Sequence, residues 1–384
     1  MDRLIVKNFG PLKDIDIELN KINLFIGENG SGKSVLAKLI TIISDIGDVY
    51  RSLYDGILGI NNFKKDLEKY GIQFLTNDSY IHFYNESENT SFYVKNNILI
   101  SNNDLVDNIL NTDEEKIKQI FNTFDDPLEI IQKLGLDENM ESMLTKFTLL
   151  SSKYIPAERN LISLFNKSIT TLLVAEVPLP KFLLQFSSEF EKASNELKEL
   201  EFLGIKYINS DGLDRHKVYF NDEEYLSLEH SSSGIQSALP LYLTVKYFAQ
   251  KYRGIIIEEP EQNLFPKAQS ETIRYIIEQV SDRNNLFMMT HSPYVLSVLN
   301  ILIFAHKVAQ VSEDAKRKVE EFIKEEHWIN PHDFSAYYLE NGIAKDIKSS
   351  RGLISDNEID DISEDIAGEF DELMEIYREF KDAK

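Results

Sequence analysis

The sequence predicts an α/β fold organised around a parallel sheet, and three observations support that prediction. From about residue 205 onward, apolar strands alternate with helical segments. The strands at residues 254–257 and 286–289 are apolar throughout, as expected for a parallel sheet that helices cover on both faces. A further apolar strand, at residues 22–26, runs directly into a glycine-rich loop that a helix continues.

The N-terminal part adds antiparallel strands to this core. Residues 3–7 and 14–19 alternate polar and apolar side chains around a Gly-Pro turn, which is typical of paired strands. Between about residues 72 and 101, the β-rich runs SYIHFY, SFYVK and NILIS are separated by Asn-rich turns. This pattern predicts an N-terminal antiparallel β meander.

A helical block then interrupts the strands. The periodicity is helical over residues 104–204, and we interpret this block as a helical insertion within one head that spans residues 1–384. One interruption, KYIPAERN at residues 153–160, is typical of a strand followed by the start of a helix. Strands resume near residues 205–208 and 217–220, and helices are predicted from Gly234 and after Pro266.

The tail, residues 350–384, is predicted to be an acidic amphipathic helix. Twelve acidic and three basic residues follow from residue 355. Apolar residues nevertheless recur at steps of three and four: Ile359, Ile362, Ile366, Phe370, Leu373, Tyr377 and Phe380. Such a stripe packs either on the chain's own head or on a partner. We interpret the acidic residues between them as a solvated helical face rather than a metal site.

Composition excludes several kinds of chemistry. The chain has no cysteine, so disulfides, thiolate nucleophiles and thiolate zinc sites are impossible, and a reducing compartment is expected. The N-terminus has too short an apolar run for a signal peptide, and nowhere do about 18 apolar residues follow one another without a charge. We therefore expect a cytoplasmic protein with no membrane partner.

The net charge of -23 argues against a surface that binds nucleic acid throughout. Binding to phosphate backbones depends on Lys and Arg side chains that displace counterions. A local basic groove is compatible with this charge, so nucleic acid stays among the candidate partners.

The glycine-rich loop carries the first chemical motif. Residues 27–34, GENGSGKS, have the spacing Gly, four residues, Gly-Lys-Ser. In such loops, backbone N–H groups turn toward the β-phosphate, the lysine supplies a positive charge, and the serine hydroxyl can ligate Mg²⁺. The predicted phosphate-binding residues are Asn29, Gly30, Ser31, Gly32, Lys33, Ser34 and Val35. Ser34 is also the first predicted metal ligand.

Two consecutive carboxylates form the second motif, because Glu258 and Glu259 directly follow the buried strand at 254–257. Nucleotide chemistry with Mg²⁺ needs one carboxylate near the metal and another that polarises water. We assign Glu258 to the metal and Glu259 to the attacking water as the catalytic base. An acidic surface turn is the alternative, since acid pairs are common on solvated loops.

His291 forms the third motif, since it follows the apolar strand at 286–289. A histidine at such a strand end can donate a hydrogen bond to a γ-phosphate or to the attacking water. A structural histidine is the alternative for a residue of this kind taken alone. Lys33, Glu259 and His291 are the predicted catalytic residues.

In this order, the segments resemble the ABC-type ATPase heads of the SMC and RecF class. Within that class they are most similar to the OLD-like and Septu-like ATPases of bacterial phage-defence systems. GENGSGKS resembles Walker A, IIIEEPEQNLFP at 255–266 resembles Walker B with the D-loop, and THSPYVL at 290–296 resembles the switch-histidine segment. HSSSGIQSALPL at 230–241 lies where the ABC signature belongs. The resemblance implies a P-loop NTPase fold of the ABC type.

The resemblance also implies a reaction and an assembly. ATP is the expected substrate and Mg²⁺ the expected cofactor. The expected assembly is a homodimer or a larger oligomer with an even number of subunits. The residues that should contact the γ-phosphate held by the opposite subunit are Ser232, Ser233 and Gly234. Asn263 should lie across the dimer seam, and His291 should sense the γ-phosphate.

At three places the sequence departs from the family pattern, and these departures affect the roles that the resemblance assigns. Phe265 replaces the usual histidine of the D-loop, and no glutamine can be assigned to a Q-loop. Ser233 and Ile235 differ from the residues usual in the ABC signature. Glu158 and Arg159, within YIPAER, stand where the Q-loop is expected. A plain strand-to-helix turn explains that segment equally well.

The leading functional hypothesis is an ATPase that senses or regulates a separate effector, a nuclease or toxin, in phage defence. OLD nucleases continue into a Toprim domain, whereas the residues after His291 show a strand pair and the acidic helix. We therefore expect no nuclease in this polypeptide. One alternative is an ATPase of DNA repair or chromosome maintenance that binds duplex DNA. The other is a scaffold that binds nucleotide without hydrolysing it.

Overall fold

The computed structural model describes residues 2–44, 59–85, 90–96, 98–102, 152–165, 176–210, 215–280, 284–355 and 373–374. The strands are β1 Asp2–Phe9, β2 Leu12–Leu19, β3 Ile22–Gly27, β4 Tyr80–Asn85, β5 Thr90–Lys95, β6 Ile98–Asn102, β7 Ser152–Ile155, β8 Glu199–Phe202, β9 Ile205–Asn209, β10 His216–Tyr219, β11 Tyr225–Ser227, β12 Gly254–Glu258, β13 Asn285–Met289, β14 Phe334–Glu340 and β15 Ile343–Asp346. The helices are α1 Lys33–Ser44, α2 Gly59–Lys69, α3 Asn160–Phe165, α4 Lys181–Glu196, α5 Ser233–Phe248, α6 Pro266–Gln279, α7 Pro293–Ala309 and α8 Glu313–Glu320.

One large sheet organises the molecule. Within the described ranges it has eleven strands in the order β6-β5-β4-β1-β2-β15-β14-β3-β13-β12-β7. Its last five strands run parallel, and β3 and β12 are buried along their whole length. Parallel strands expose neither face to water, which explains why their sequences are apolar without alternation. The predicted α/β fold is confirmed.

The opposite half of this sheet is antiparallel, as the alternating N-terminal runs indicated. Strands β1 and β2 form a hairpin, and β4 extends it on the far side of β1. Strands β5 and β6 complete the predicted meander. Along β1, Leu4 and Val6 are buried, whereas Arg3 and Lys7 are exposed. The alternation therefore reflects a sheet with one face on the core and the other toward water.

Helices cover the parallel strands. Helix α1 leads out of the loop after β3 and packs on β7, β12 and β13. Its buried face includes Leu36, Leu39, Ile40 and Ile43, which recur at helical spacing. Helix α5 packs between α4 and α6, and eleven of its residues are buried. The core is therefore continuous from the sheet through α1 and α5.

Residues 153–160 form a strand followed by a helix start, as predicted. Strand β7 joins the large sheet parallel to β12, and the 3₁₀ turn Ala157–Arg159 leads into α3. The segment predicted as a helical insertion thus contains the helix α4, strand β7 of the large sheet and strand β8 of a second, four-stranded sheet with the order β11-β10-β9-β8. The prediction of helical structure up to residue 204 is therefore wrong at β8. Residues 104–151 and 166–175 of that segment lie outside the described residues, and its boundaries stay a prediction.

The predicted tail helix falls mostly outside the described residues. Residues 350–355 form a turn that a bridge between Lys348 and Ile354 closes. Residues 356–372 and 375–384 are not described. Within the described ranges, no helix combines the length and the apolar character that crossing a membrane requires.

Candidate nucleotide site

The loop of residues 27–34 connects β3 to α1 and depends on glycines. The backbone of Gly27 has a φ of 149°, and that of Gly32 has a φ of 103°, which side chains rarely tolerate. A Cβ on Gly27 would lie 2.3 Å from the Leu339 carbonyl oxygen, and one on Gly32 would lie 2.8 Å from the Leu12 side chain. The loop can therefore turn this tightly against β14 and β2 only with glycine at both positions.

Lys33 points back into this loop. Its Nζ donates hydrogen bonds to the carbonyl oxygens of Gly27 at 2.7 Å and Glu28 at 2.8 Å. The side chain is only 6% exposed, and burial lowers the pKa of Lys33 to about 8, although four nearby carboxylates act in the opposite direction. A phosphate at the loop would supply the counter-charge that a buried ammonium needs.

The rest of the loop is open to solvent. Asn29 and Gly30 are exposed, Ser31 and Val35 are half-buried, and Ser34 is exposed at the start of α1. Because the first N–H groups of a helix have no partner within the helix, this end of α1 can receive an anion. Several loop residues are thus accessible to a ligand, while the Lys33 side chain is buried within the loop.

Glu258 lies at the end of β12 and inside the fold, with only 4% of its surface exposed. Burial raises the pKa of its carboxyl to about 7, although Lys38, Tyr154 and Ser34 oppose this shift. Its Oε1 atom is buried and has no hydrogen-bond partner. The alternative interpretation of Glu258 as part of an acidic surface turn is therefore wrong, because the residue is buried. An unpaired buried carboxylate oxygen beside a serine hydroxyl fits a hard cation such as Mg²⁺.

Glu259 follows in an uncommon conformation. Its φ is 44°, in the left-handed region that side chains other than Asn, Asp and Gly seldom adopt. Its N–H donates to the Met289 carbonyl at 2.8 Å, which ties the end of β12 to the end of β13. The Glu259 carboxylate is close enough to raise the pKa values of both Lys33 and His291. The structure therefore brings together the three residues predicted to be catalytic.

His291 is half-buried where the chain leaves β13. Burial lowers its pKa, the Lys33 charge lowers it further, and Glu259 together with a hydrogen bond to the Gly27 backbone opposes the shift. A lowered pKa keeps the imidazole neutral at pH 7, with one N–H donor and one acceptor nitrogen. The side chain thus contacts the Gly27 backbone of the phosphate loop and lies within electrostatic range of Glu259.

Glu261 belongs to this site, although the sequence assigned it no role. One carboxylate oxygen accepts hydrogen bonds from the Thr290 hydroxyl at 2.7 Å and from the His291 N–H at 3.0 Å. Burial raises its pKa despite these bonds. Glu261 therefore orients the segment that carries His291. The only sequence signal was its place as the third acid of EEPE.

The signature residues lie at the N-terminus of α5. Ser232 is the exposed N-cap of α5, and Ser233 is exposed beside it. A Cβ on Gly234 would lie 2.9 Å from the Asn263 carbonyl oxygen, and the Asn263 Nδ2 donates to Ser237 Oγ at 3.1 Å. Within the described ranges, no hydrogen bond joins these residues to the loop of 27–34. One head therefore brings the signature and the D-loop together at the N-terminus of α5.

Fold and site together define a P-loop ATPase of the AAA/ABC type. Residues 22–297 match the family described as "AAA domain, putative AbiEii toxin, Type IV TA system", and the chain belongs to that family. It is also 24% identical over 337 residues to a protein named OLD nuclease from Thermus scotoductus (strain ATCC 700910 / SA-01). That match covers 78% of this chain and 60% of the relative. The resemblance to OLD-like ATPases is confirmed.

The similarity to solved structures is low. The SMC head domain from Thermotoga maritima is 12% identical, with a TM-score of 0.39, and the match covers 90% of this chain and 97% of that one. An ATP-binding cassette of an ABC transporter in its ADP conformation is 14% identical, with a TM-score of 0.34. That match covers 90% of this chain and 89% of the cassette.

Proposed function

We propose that the chain binds ATP with Mg²⁺ and hydrolyses it at a site that two heads share. One observation carries the proposal: Lys33, Glu259 and His291 converge where the neighbouring parallel strands β3, β12 and β13 end. The carboxyl ends of parallel strands are where α/β folds place their ligands. Phosphoryl transfer needs positive charge at the phosphates and a group that activates or orients the attacking water, and Lys33 and Glu259 offer these. The His291 imidazole adds a hydrogen-bond donor beside them.

Binding begins at the loop. The N–H groups of residues 29–34 and the dipole of α1 receive the phosphates, and the Lys33 ammonium exchanges its two carbonyl partners for phosphate oxygens. Ser34 and Glu258 would hold Mg²⁺, and a bound Mg²⁺ supplies positive charge to the β- and γ-phosphate oxygens. The Glu258 carboxylate then gains the counter-charge that its burial calls for.

Hydrolysis uses the two remaining groups. Glu259 accepts a proton from a water molecule whose oxygen forms a bond to the γ-phosphorus. The bond between that phosphorus and the β–γ bridging oxygen breaks, which yields ADP and phosphate. The neutral His291 imidazole exchanges its hydrogen bond to the Gly27 backbone for one to the γ-phosphate, and so holds that phosphate in line with the water. Lys33 stabilises the charge on the leaving oxygens.

A second head completes the site. Ser232 and Ser233 are exposed at the N-terminus of α5, a 16-residue helix whose dipole favours an anion at that end. In the part of the chain that the structure describes, no hydrogen bond joins them to their own phosphate loop, and a partner's γ-phosphate is the ligand that the resemblance assigns to them. Asn263 is exposed and lies against Gly234. Two copies related by a two-fold axis would then enclose two ATP molecules.

Mixed subunits test the shared site. Lys33→Ala damages a head's own loop, and Ser232→Arg damages the site of its mate. Each variant alone should be inactive, whereas an equal mixture should recover roughly a quarter of wild-type phosphate release. Half of the dimers are then mixed, and one of their two sites is intact.

The matched control mixes Lys33→Ala with Glu259→Gln. Both changes damage the site of the head that carries them, so this mixture should stay inactive. Absence of recovery in the first mixture, although differently tagged subunits are shown to associate, would rule out the shared site.

We further propose that the ATP state of the pair controls a separate effector, a nuclease or another toxin, in defence against phage. The family description names a toxin, and the relative from Thermus scotoductus is named a nuclease. ATP binds an open and a closed pair differently, and this difference can drive a switch. When the tagged chain is purified from the organism that encodes it, a nuclease should co-purify. The amount of nuclease bound to the chain should change when ATP is added. Duplex DNA as the sole partner would contradict the effector.

A further inference from the structure

Arg159 is a buried cation that the proposed reaction does not use. It ends the 3₁₀ turn after β7, and its exposed fraction is 0%. All four of its hydrogen bonds go to backbone carbonyl oxygens. The acceptors are those of Ser237 at 3.1 Å, Pro156 at 3.0 Å, Glu258 at 2.8 Å and Glu259 at 2.6 Å.

These bonds, together with nearby carboxylates, offset the cost of burying the charge. An isolated guanidinium loses its hydration when it is buried, so it needs several acceptors and a counter-charge. Burial lowers the pKa of Arg159 to about 10, and Glu261, Glu259 and Glu258 act in the opposite direction. The side chain is therefore charged at neutral pH. A planar fork of N–H donors reaches several carbonyl groups at once, which the single ammonium of lysine does not.

The four acceptors belong to three different elements. Pro156 follows β7, Ser237 lies in α5, and Glu258 and Glu259 end β12. The α5 contact lies about a turn and a half from Ser232, which the proposed function places on the partner's γ-phosphate. Arg159 thus bonds directly to the helix that would contact one ATP and to the strand end that would act on the other.

The turn of α5 at Ser237 is also linked to the D-loop. The Ser237 hydroxyl donates to Gln262 Oε1 at 3.2 Å and accepts from Asn263 Nδ2 at 3.1 Å. A displacement at the dimer seam would therefore move Ser237 through its side-chain hydrogen bonds as well as through α5. Arg159 would move with it, because its guanidinium donates to the Ser237 carbonyl.

The hydrogen bond from Arg159 to the Glu259 carbonyl helps to fix the backbone of Glu259. Its left-handed backbone, with a φ of 44°, is held on one side by its N–H bond to Met289 and on the other by the bond from Arg159. A strained backbone of this kind persists only where its surroundings fix it. The direction of the Glu259 side chain therefore depends on Arg159.

We propose that Arg159 is a positioning residue that holds Glu259 in register with the N-terminal turn of α5. Contact of Ser232 and Gly234 with a partner's nucleotide would then set the position of the base in the same head. This inference rests on the proposed function, because it assigns the link between the two shared sites. It predicts that Arg159 affects turnover and leaves nucleotide binding to Lys33.

Two substitutions at Arg159 test this role. Arg159→Lys keeps a cation but not the fork, and Arg159→Met removes the charge. ATP affinity in both variants should stay within about threefold of wild type, while kcat falls about 10- to 100-fold, because a displacement of about 1 Å at a catalytic group has this effect. The measurements are the equilibrium binding of ATP and steady-state phosphate release.

Lys153→Met is the matched control. Lys153 lies in β7 and pairs with Glu189 at 2.9 Å, with 17% of its side chain exposed. Its loss should lower the thermal stability as the Arg159 variants do, yet leave kcat near wild type. If Arg159→Met does not fold, kcat and ATP affinity of Arg159→Lys alone test the positioning role.

Several results would overturn the proposal. Arg159→Lys with a kcat within threefold of wild type would remove the positioning role. Arg159 would have a structural role only if kcat fell no further than in Lys153→Met at equal thermal stability. The same conclusion would follow if ATP affinity fell in parallel with kcat, or if neither Arg159 variant folded. If wild type and Lys153→Met release no phosphate, the proposed function fails and this inference with it.

Discussion

Replacing Lys33 with alanine should reduce ATP affinity by about 100-fold or more. The ammonium is the positive charge of the loop, and charge-assisted hydrogen bonds to phosphate contribute about 1.5–3 kcal/mol each. In the free head this ammonium bonds to the Gly27 and Glu28 carbonyls, so its direction is already set before nucleotide arrives. The measurement is titration with ATP and Mg²⁺ by calorimetry or with a fluorescent analogue.

Lys7→Ala is the matched control for this change. Lys7 pairs with Asp14 on the β1–β2 hairpin at 3.2 Å, with half of its side chain exposed. Its removal should leave ATP affinity unchanged. Binding by Lys33→Ala within threefold of wild type, with the variant folded, would mean that the loop does not hold the phosphates through this side chain.

Glu259→Gln should reduce turnover by about 10²- to 10⁴-fold, the range that general bases contribute. The amide keeps the shape of the side chain but accepts no proton from water at neutral pH. Because Lys33 and the loop N–H groups are unchanged, ATP affinity should persist. Phosphate release under steady-state and single-turnover conditions measures the effect.

Glu271→Gln provides the same chemical change on an exposed helical surface, where Glu271 lies 3.8 Å from Lys267. Its turnover should equal that of wild type. If Glu259→Gln also releases phosphate at the wild-type rate, another group is the base, and Glu258 becomes the next residue to test.

Local motifs predicted the parts of the site that depend on neighbouring residues in the sequence. The loop of 27–34 needs glycine at set positions, and Glu258 and His291 each follow a continuously apolar strand. Such features can be recognised within a few residues, because the glycines of a tight turn and the apolar run of a buried strand are contiguous in the sequence. That is why three separate segments could be assigned before their contacts were known.

Long-range contacts could not be predicted in this way. Strand β7 pairs with β12 although almost a hundred residues separate them, and only this pairing places Arg159 beneath Glu258. Glu261 likewise obtains its role from the Thr290 hydroxyl on the neighbouring strand. Sequence periodicity shows which side chains are buried, but not which distant backbone groups they contact.

The molar mass of Glu259→Gln with and without ATP and Mg²⁺ tests the shared site most directly. Without hydrolysis, the closed pair should accumulate, so the mass should double when ATP is added. Adding Ser232→Arg should prevent the doubling while ATP still binds to Lys33. An unchanged mass with ATP bound to every head would contradict the account, because each head would then hold its nucleotide without a mate.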